Sequence, residues 1–317
     1  MKTSELHLVV IGDPLRLDLN EQKLVSLIRP LPTAHRSKFR ELKQGSAYDC
    51  LISPWNEAGT SPEGVLGAIE QYVLSPLREA GFDAAILQTD TAHRRKKVLV
   101  ADMESTIIEQ EMLDELGDLI GKRKVIEDIT ARAMRGEIDF QQALTERVAM
   151  LAGLDAGVLD EVSKRITIMP GARELVATMK ANGAYCALVS GGFTVFTERI
   201  AQMLGFDEHQ ANTLEIVDGK ITGSVTSPIL GRDAKLAALN RIVAEQGVGT
   251  DSALAVGDGA NDLAMLGVAG LGVAFRAKPR VREAILKSPG GAVITHGDLT
   301  ALLYLQGYTW GELLPVA

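Results

Sequence analysis

The chain is poor in cysteine. It has only Cys50 and Cys186, far apart and each inside an apolar run. That excludes a disulfide framework and reads as two reduced core thiols, as expected of a cytoplasmic protein. Surplus positive charge is also missing: 33 Lys and Arg stand against 41 Asp and Glu, a formal net charge of −8. This argues against nucleic acid or an acidic membrane as the main partner. There is no uninterrupted bilayer-length apolar run, because the longest region, 253–275, carries Asp258, Asn261 and Asp262, which are costly in lipid. The stretch Met1-Lys2-Thr3-Ser4-Glu5 lacks the apolar core of a signal peptide. Internal repeats and low-complexity tracts are absent too. A basic cluster, His93 to Lys97, reads as a solvated linker rather than a targeting signal or phosphate patch.

What is present is ordinary for a soluble globular protein: 46 % hydrophobic and 23 % charged residues over 317 positions, enough for two or three folding units. Residues 1–90 alternate strand patterns (7–12, 48–53, 82–88) with helical ones (20–29, 63–79). The second helix has Val65, Leu66, Ile69, Val73 and Leu77 at helical spacing. This predicts a small α+β domain, read as regulatory or assembly-forming. After the linker, short runs at 98–101, 185–189, 253–256 and 271–274 are apolar at every position, as strands of a parallel sheet covered on both faces must be. Helical stretches at 171–182, 194–204 and 233–246 end at Gly183, Gly205 and Gly247. Residues 97–110 and 167–300 thus predict a doubly wound α/β core, with ligands at the carboxyl ends of its strands.

A block inserted after the first of these strands, 111–166, has four helical patterns (111–120, 122–135, 139–152, 155–166) separated by Gly121, Gly136 and Gly153. Asp139 stands as an N-cap before Phe140, Leu144, Val148 and Leu151. Four short helices predict a small bundle forming a cap. Asp218-Gly219 between alternating segments predicts a hairpin over 214–225.

The chemistry gathers at the strand ends. The run 98–101 delivers Asp102 and Glu104, and 185–189 delivers Ser190-Gly191-Gly192. Lys235 opens a helix, and 253–256 delivers Asp258, Asn261 and Asp262. In a parallel sheet these tips share one edge, which would crowd four carboxylates into one pocket. Such crowding demands a cation, and oxygen donors without His or Cys select a hard ion such as Mg²⁺. With Lys235 and the backbone N–H groups of Ser-Gly-Gly alongside, the pocket suits a phosphate group, which an aspartate can attack to form an aspartyl-phosphate. Alone, each piece is an ordinary turn or surface charge. Their joint order is what carries the expectation.

These residues, "DMEST", "VSGGF", Lys235 and "VGDGANDLAML", together with the cap stretch "AMRGEIDFQQALTERV" (133–148), resemble the haloacid-dehalogenase superfamily over about 98–300. Within it they resemble the branch that hydrolyses O-phospho-L-serine in the last step of L-serine synthesis. The resemblance implies Asp102 as nucleophile and Mg²⁺ ligand, with Asp258 and the backbone carbonyl of Glu104 completing the protein's metal ligands. Asp262 is then expected to hold the metal's waters or Lys235. Ser190, Lys235, Gly191 and Asn261 are expected at the phosphoryl group. By the same match Glu111 meets the substrate ammonium, Arg147 its carboxylate, and Met134 and Phe140 form apolar walls. The expected partner is the small-molecule substrate, without nucleic acid or membrane, and a homodimer stays open.

One residue departs from the family pattern. Where the second residue after the nucleophile is normally Asp, acting as acid and then base, this chain has Glu104, with a similar pKa on a stem one methylene longer. Three outcomes are open: a local shift that preserves activity, an overshoot that slows both steps, or a slowed second step. The expectation is an active enzyme with Glu104 as acid/base. Transfer of the phosphoryl group to another small alcohol, and a non-catalytic phosphate-binding regulator, are the alternatives.

Overall fold

The computed structural model describes residues 6–31, 34–54, 62–88, 93–134, 137–231, 233–288 and 290–314. The expected break at Gly136 and the start of the linker, 90–92, lie outside the described residues. So does the side chain of Met134.

The first part of the chain runs β1 (Leu6–Ile11), α1 (Glu21–Leu27), β2 (Ala34–Arg36), β3 (Arg40–Lys43), β4 (Ala47–Pro54), α2 (Pro62–Ile69), a π-helical turn, α3 (Ser75–Glu79) and β5 (Asp83–Gln88). Its antiparallel sheet has the order β2-β4-β1-β5, with β3 also paired to β4. β2 and β3 carry no apolar alternation, since they are three and four residues of mostly polar chain. Pairing with β4, and not their own pattern, makes them strands.

The second part begins with β6 (Val98–Ala101), followed by α4 (Met112–Leu119), α5 (Arg123–Met134), α6 (Phe140–Ala149) and α7 (Val158–Ser163). It continues with α8 (Ala172–Ala181), β7 (Tyr185–Phe193), α9 (Thr194–Leu204), β8 (Glu208–Asn212) and the hairpin β9 (Leu214–Val217)–β10 (Lys220–Val225). Then come α10 (Ala234–Glu245), β11 (Ala253–Gly257), α11 (Leu263–Val268), β12 (Leu271–Phe275), α12 (Pro279–Ile285), β13 (Gly291–Ile294) and α13 (Ala301–Leu305). The six strands form a parallel sheet in the order β13-β12-β11-β6-β7-β8. Strand order reverses at β6, which puts a crevice at its carboxyl end. Val98 and Val100 pack on one face with Leu239 and Ile242 of α10. Leu99 and Ala101 face the other, with Leu175 and Val176 of α8. Burial on both sides explains why β6 reads as an unbroken apolar run. The edge strand β8 (Glu-His-Gln-Ala-Asn) lacks that signature in the sequence, because an edge needs less of it. The other edge strand, β13 (Gly-Ala-Val-Ile), is a short apolar run outside the strands expected from the sequence.

In the inserted block, the Asp139 carboxylate accepts the Gln142 N–H at 2.7 Å and caps α6. The hairpin turns at Asp218 (φ 50°) and Gly219 (φ 75°), the pair of left-handed residues that a two-residue turn requires. It does not stand apart. The N–H groups of Gly153 and Ala156 bond to the carbonyls of Ile221 and Gly219, so the hairpin forms one body with the cap helices.

The basic segment is not a solvated linker, and that expectation is corrected. Arg94 and Lys96 are buried, at 5 % and 7 % exposure. Arg94 donates to Asp49 at 2.7 Å and to the Leu305 carbonyl at 3.0 Å. Lys96 donates to the carbonyls of His93 and Asp251. Burial of a guanidinium is tolerated because each donor finds an acceptor. On the other flank, the Asp83 carboxylate accepts the N–H groups of Thr295, His296 and Gly297 at 2.8–2.9 Å. One hydrophobic cluster runs from Val9 and Leu87 through the core to Leu302, Tyr304 and Tyr308. Among the described residues no helix is long and apolar enough to cross a membrane.

Candidate active site

Asp102 is the first residue beyond β6, and its N–H bonds to the Val256 carbonyl of β11, so the backbone there is fixed by the sheet. Its Oδ1 accepts the Met103 N–H at 2.7 Å and faces Lys235 Nζ at 2.7 Å. Oδ2 accepts no hydrogen bond among the described residues. Lys235, in the first turn of α10, also reaches Asp262 Oδ1 at 2.5 Å. Burial alone would lower the Lys235 pKa; the carboxylates of Asp102 and Asp262 outweigh it and raise the value. The ammonium therefore stays charged.

Asp258 and Asp262 follow β11. Asp262 is fully buried and its Oδ2 accepts the Gly259 N–H at 2.8 Å. A side chain at Gly257 would collide with Asp262, so only glycine lets the strand end this close to that carboxylate. Ligand oxygens of Asp102, Asp258 and Asp262 all lie within 4.8 Å of one another. Burial pushes Asp102 up to about 8, with Asp262 and Asp258 adding to the rise and Lys235 opposing it. Burial likewise pushes Asp258 up to about 6, opposed by Lys278 at 3.7 Å. Two carboxyls that resist ionisation beside a third are what a divalent cation relieves. Oxygen-only donors fit Mg²⁺. Lys235 engages both Asp102 and Asp262, while Asp258 is the one of the three that it does not pair with.

The expected crowding of four carboxylates is thus corrected to three. Glu104 points elsewhere: Oε1 accepts the N–H of Met112, the first residue of α4, at 2.9 Å. The carboxyl lies against Gly192, where a methyl group would come within 3.0 Å of Oε2. Burial pushes Glu104 up to about 8, helped by Glu111 and Asp102 and opposed by the Met112 N–H and Arg147.

The Ser-Gly-Gly segment is no turn. β7 runs through it to Phe193, with a register shift between Val189 and Phe193 against β8. Such an irregularity re-aims side chains. Ser190 is buried and its Oγ accepts the Gly192 N–H at 2.9 Å. Asn212, which the sequence reading missed, donates to the Gly191 carbonyl at 2.9 Å and accepts the Leu230 N–H at 2.7 Å. A buried Asn at the end of an edge strand has no sequence signature of this role. The Asn261 Oδ1 lies against Gly259, where a methyl group would collide with it.

From the cap, Phe140 leans over this end of β7, with Cζ 3.4 Å from where a methyl on Gly191 would be. Glu111 is exposed and its Oε1 accepts the Ser105 hydroxyl at 2.8 Å. Arg147 donates to the Ala143 carbonyl and Thr130 Oγ1. Burial lowers its pKa, while Glu104, Asp114 and Glu111 lie near enough to oppose that. Glu111 and Arg147 thus lie on the same side of the pocket as Glu104, close enough for their charges to act on one another.

A doubly wound parallel sheet, a helical cap inserted after its first strand and a buried Asp–Lys pair at the strand ends define a capped α/β protein with its candidate active site at the strand tips. The sequence profile of the haloacid dehalogenase-like hydrolases matches residues 99–267, and the chain belongs to that family. It is 41 % identical over 282 residues to a phosphoserine phosphatase of Streptomyces coelicolor, covering 86 % of this chain and 67 % of that one. It is also 41 % identical over 252 residues to one of Mycobacterium tuberculosis, covering 80 % and 60 %. The chain thus spans about two thirds or less of these relatives' length. A HAD family hydrolase from Salmonella enterica serovar Typhi superposes with a TM-score of 0.76 at 31 % identity, over 95 % of this chain and 98 % of that one. A phosphoserine phosphatase solved as a phospho-aspartyl intermediate analogue superposes over 66 % and 98 %, with a TM-score of 0.61 at 37 % identity.

Proposed function

We propose that the chain hydrolyses O-phospho-L-serine to L-serine and phosphate, the final step of L-serine biosynthesis, through an aspartyl-phosphate on Asp102. The observation that carries this reading is the buried Asp102–Lys235 pair, with Lys235 holding Oδ1 and Oδ2 left without a donor among the described residues. In the first step an Asp102 carboxylate oxygen attacks phosphorus and the bond from phosphorus to the serine oxygen breaks. Glu104 gives its proton to that oxygen. In the second step water attacks the same phosphorus, Glu104 takes a proton from it, and the Asp102 carboxylate is released with inorganic phosphate.

Ser190, Lys235, the Gly191 N–H and Asn261 hold the phosphoryl oxygens. Glu111 meets the substrate ammonium and Arg147 its carboxylate by a two-pronged guanidinium contact. Phe140 and Met134 wall the pocket against water. Asp102, Asp258 and the Glu104 carbonyl would hold Mg²⁺, with Asp262 behind them. When bound, the ion neutralises the carboxylates and the phosphate they face. Cys50 and Cys186, both free and buried, suit a cytoplasmic enzyme.

Phosphate release from phosphoserine, measured with Mg²⁺ and again with EDTA, tests the reading. Activity is expected only with the metal. Comparison with and without an acceptor alcohol separates hydrolysis from transfer. An Asp102→Asn enzyme that kept the parental rate would sink the mechanism.

A further inference from the structure

On the reading of Glu104 as the acid/base group, we propose that Gly192 is its positioning residue: the bare Cα of Gly192 sets where the longer glutamate ends. A methyl group at position 192 would lie 3.0 Å from Oε2 and 3.1 Å from both Cδ and Oε1 of Glu104. All three terminal atoms thus lie against this one backbone position. The opposite side of the carboxyl is fixed by the Met112 N–H, 2.9 Å from Oε1. Glu104 is therefore held between a wall and a hydrogen bond.

The wall itself is stiff. Gly192 is buried, its N–H is engaged by Ser190 Oγ at 2.9 Å, and the preceding carbonyl is held by Asn212 at 2.9 Å. The strand re-enters its ladder one residue later, where Phe193 pairs with Asn212. The backbone cannot retreat from a new side chain, so the carboxyl must. An aspartate, shorter by one C–C bond of about 1.5 Å, would draw its carboxyl back from this surface. The glycine matters to this chain because position 104 is Glu.

The contact is too close for a methyl by only about 0.5 Å, against an ordinary separation of about 3.5 Å. Its target is the end of a flexible side chain, so Gly192→Ala should fold. A displacement of about 1 Å of a reacting group can cost about 10²-fold in rate, so half that shift should lower kcat about tenfold. The KM for phosphoserine should change little, because the phosphoryl-binding groups stay in place.

The test is Gly192→Ala made in the parent and in Glu104→Asp, with kcat, KM and melting temperature measured for all four proteins. The expected result is a roughly tenfold fall in kcat in the parent, nearly absent in the Glu104→Asp background. An equal loss in both backgrounds would assign Gly192 to the phosphate loop alone and overturn the proposal. So would an unchanged parental kcat, a failure of Gly192→Ala to fold, or a loss confined to KM. Failure of the underlying functional reading looks different: the parent releases no phosphate from phosphoserine, or Glu104→Gln keeps the parental kcat.

Discussion

Lys235 Nζ lies 2.7 Å from Oδ1 of Asp102, and both side chains are all but inaccessible, at 4 % and 8 % exposure. Taking two such charges out of water costs several kcal/mol each. The pair persists because the Met103 N–H and the Asp262 carboxylate satisfy what is left of each partner. Substrate phosphate would arrive beside an ammonium already ordered by two carboxylates, which is the preorganisation that electrostatic catalysis requires.

Removing that ammonium should therefore act on the chemical step. Lys235→Met is expected to lower kcat by about 10²–10³-fold, read by phosphate release at saturating phosphoserine. A variant within a few-fold of the parent would mean that Lys235 serves only to hold Asp262.

The repulsion among Asp102, Asp258 and Asp262, with oxygens inside 4.8 Å of one another, predicts stabilisation by a divalent cation. Mg²⁺ at about a hundred times its dissociation constant adds about 2.7 kcal/mol to the folded state, a rise of several degrees in melting temperature. Asp258→Asn should melt higher than the parent in EDTA and gain less from Mg²⁺. Equal Mg²⁺ responses in the two proteins would remove Asp258 from the metal site.

Arg94 joins the first sheet to the core through Asp49 and the Leu305 carbonyl, with both charged side chains at 5 % exposure. Breaking a buried pair leaves an uncompensated charge at a cost of about 3–5 kcal/mol. Asp49 keeps Arg40 at 2.6 Å, so Arg94→Ala should fall at the low end, about 3 kcal/mol, in urea denaturation. The kcat of the folded fraction should stay parental, because Arg94 does not touch the site.

Glu312 supplies a pH signature far from the chemistry. Burial would raise its pKa, but the bonds from Arg95 and Thr309 prevail and bring it from 4.5 down to about 2. A carboxyl lowered on folding contributes stability at pH above its unfolded value, and loses it as pH falls through the folded one. The stability gap between parent and Glu312→Gln should therefore be present at pH 7 and shrink between pH 4.5 and about 2. Because the side chain is 42 % exposed, solvent screening keeps the gap small. A gap independent of pH would exclude the ionised form as its source.

Much of the site was legible because its parts are local. The all-apolar, β-branched-rich run Val98 to Ala101 fits a strand covered on both faces, and Asp102 follows it directly. Asp139 announces the start of α6 through its own side chain, and Asp218-Gly219 announces its turn. Arg94 was misread because nothing local distinguishes a basic linker in water from one whose guanidinium meets Asp49 and a carbonyl more than two hundred residues away. Asn212 was missed for the same reason.

The amino-acid order by itself determined which segments bury which faces, where helices begin, and which carboxylates stand at strand ends. Those are consequences of side-chain period and of capping within a few residues. Packing alone decided that three of the four carboxylates converge while Glu104 turns to the Met112 N–H and the bare surface of Gly192. It also decided that the hairpin joins the cap and that the basic segment closes the first sheet on the core. Such distances exist only once segments far apart in the chain have been brought together by burying their apolar surface.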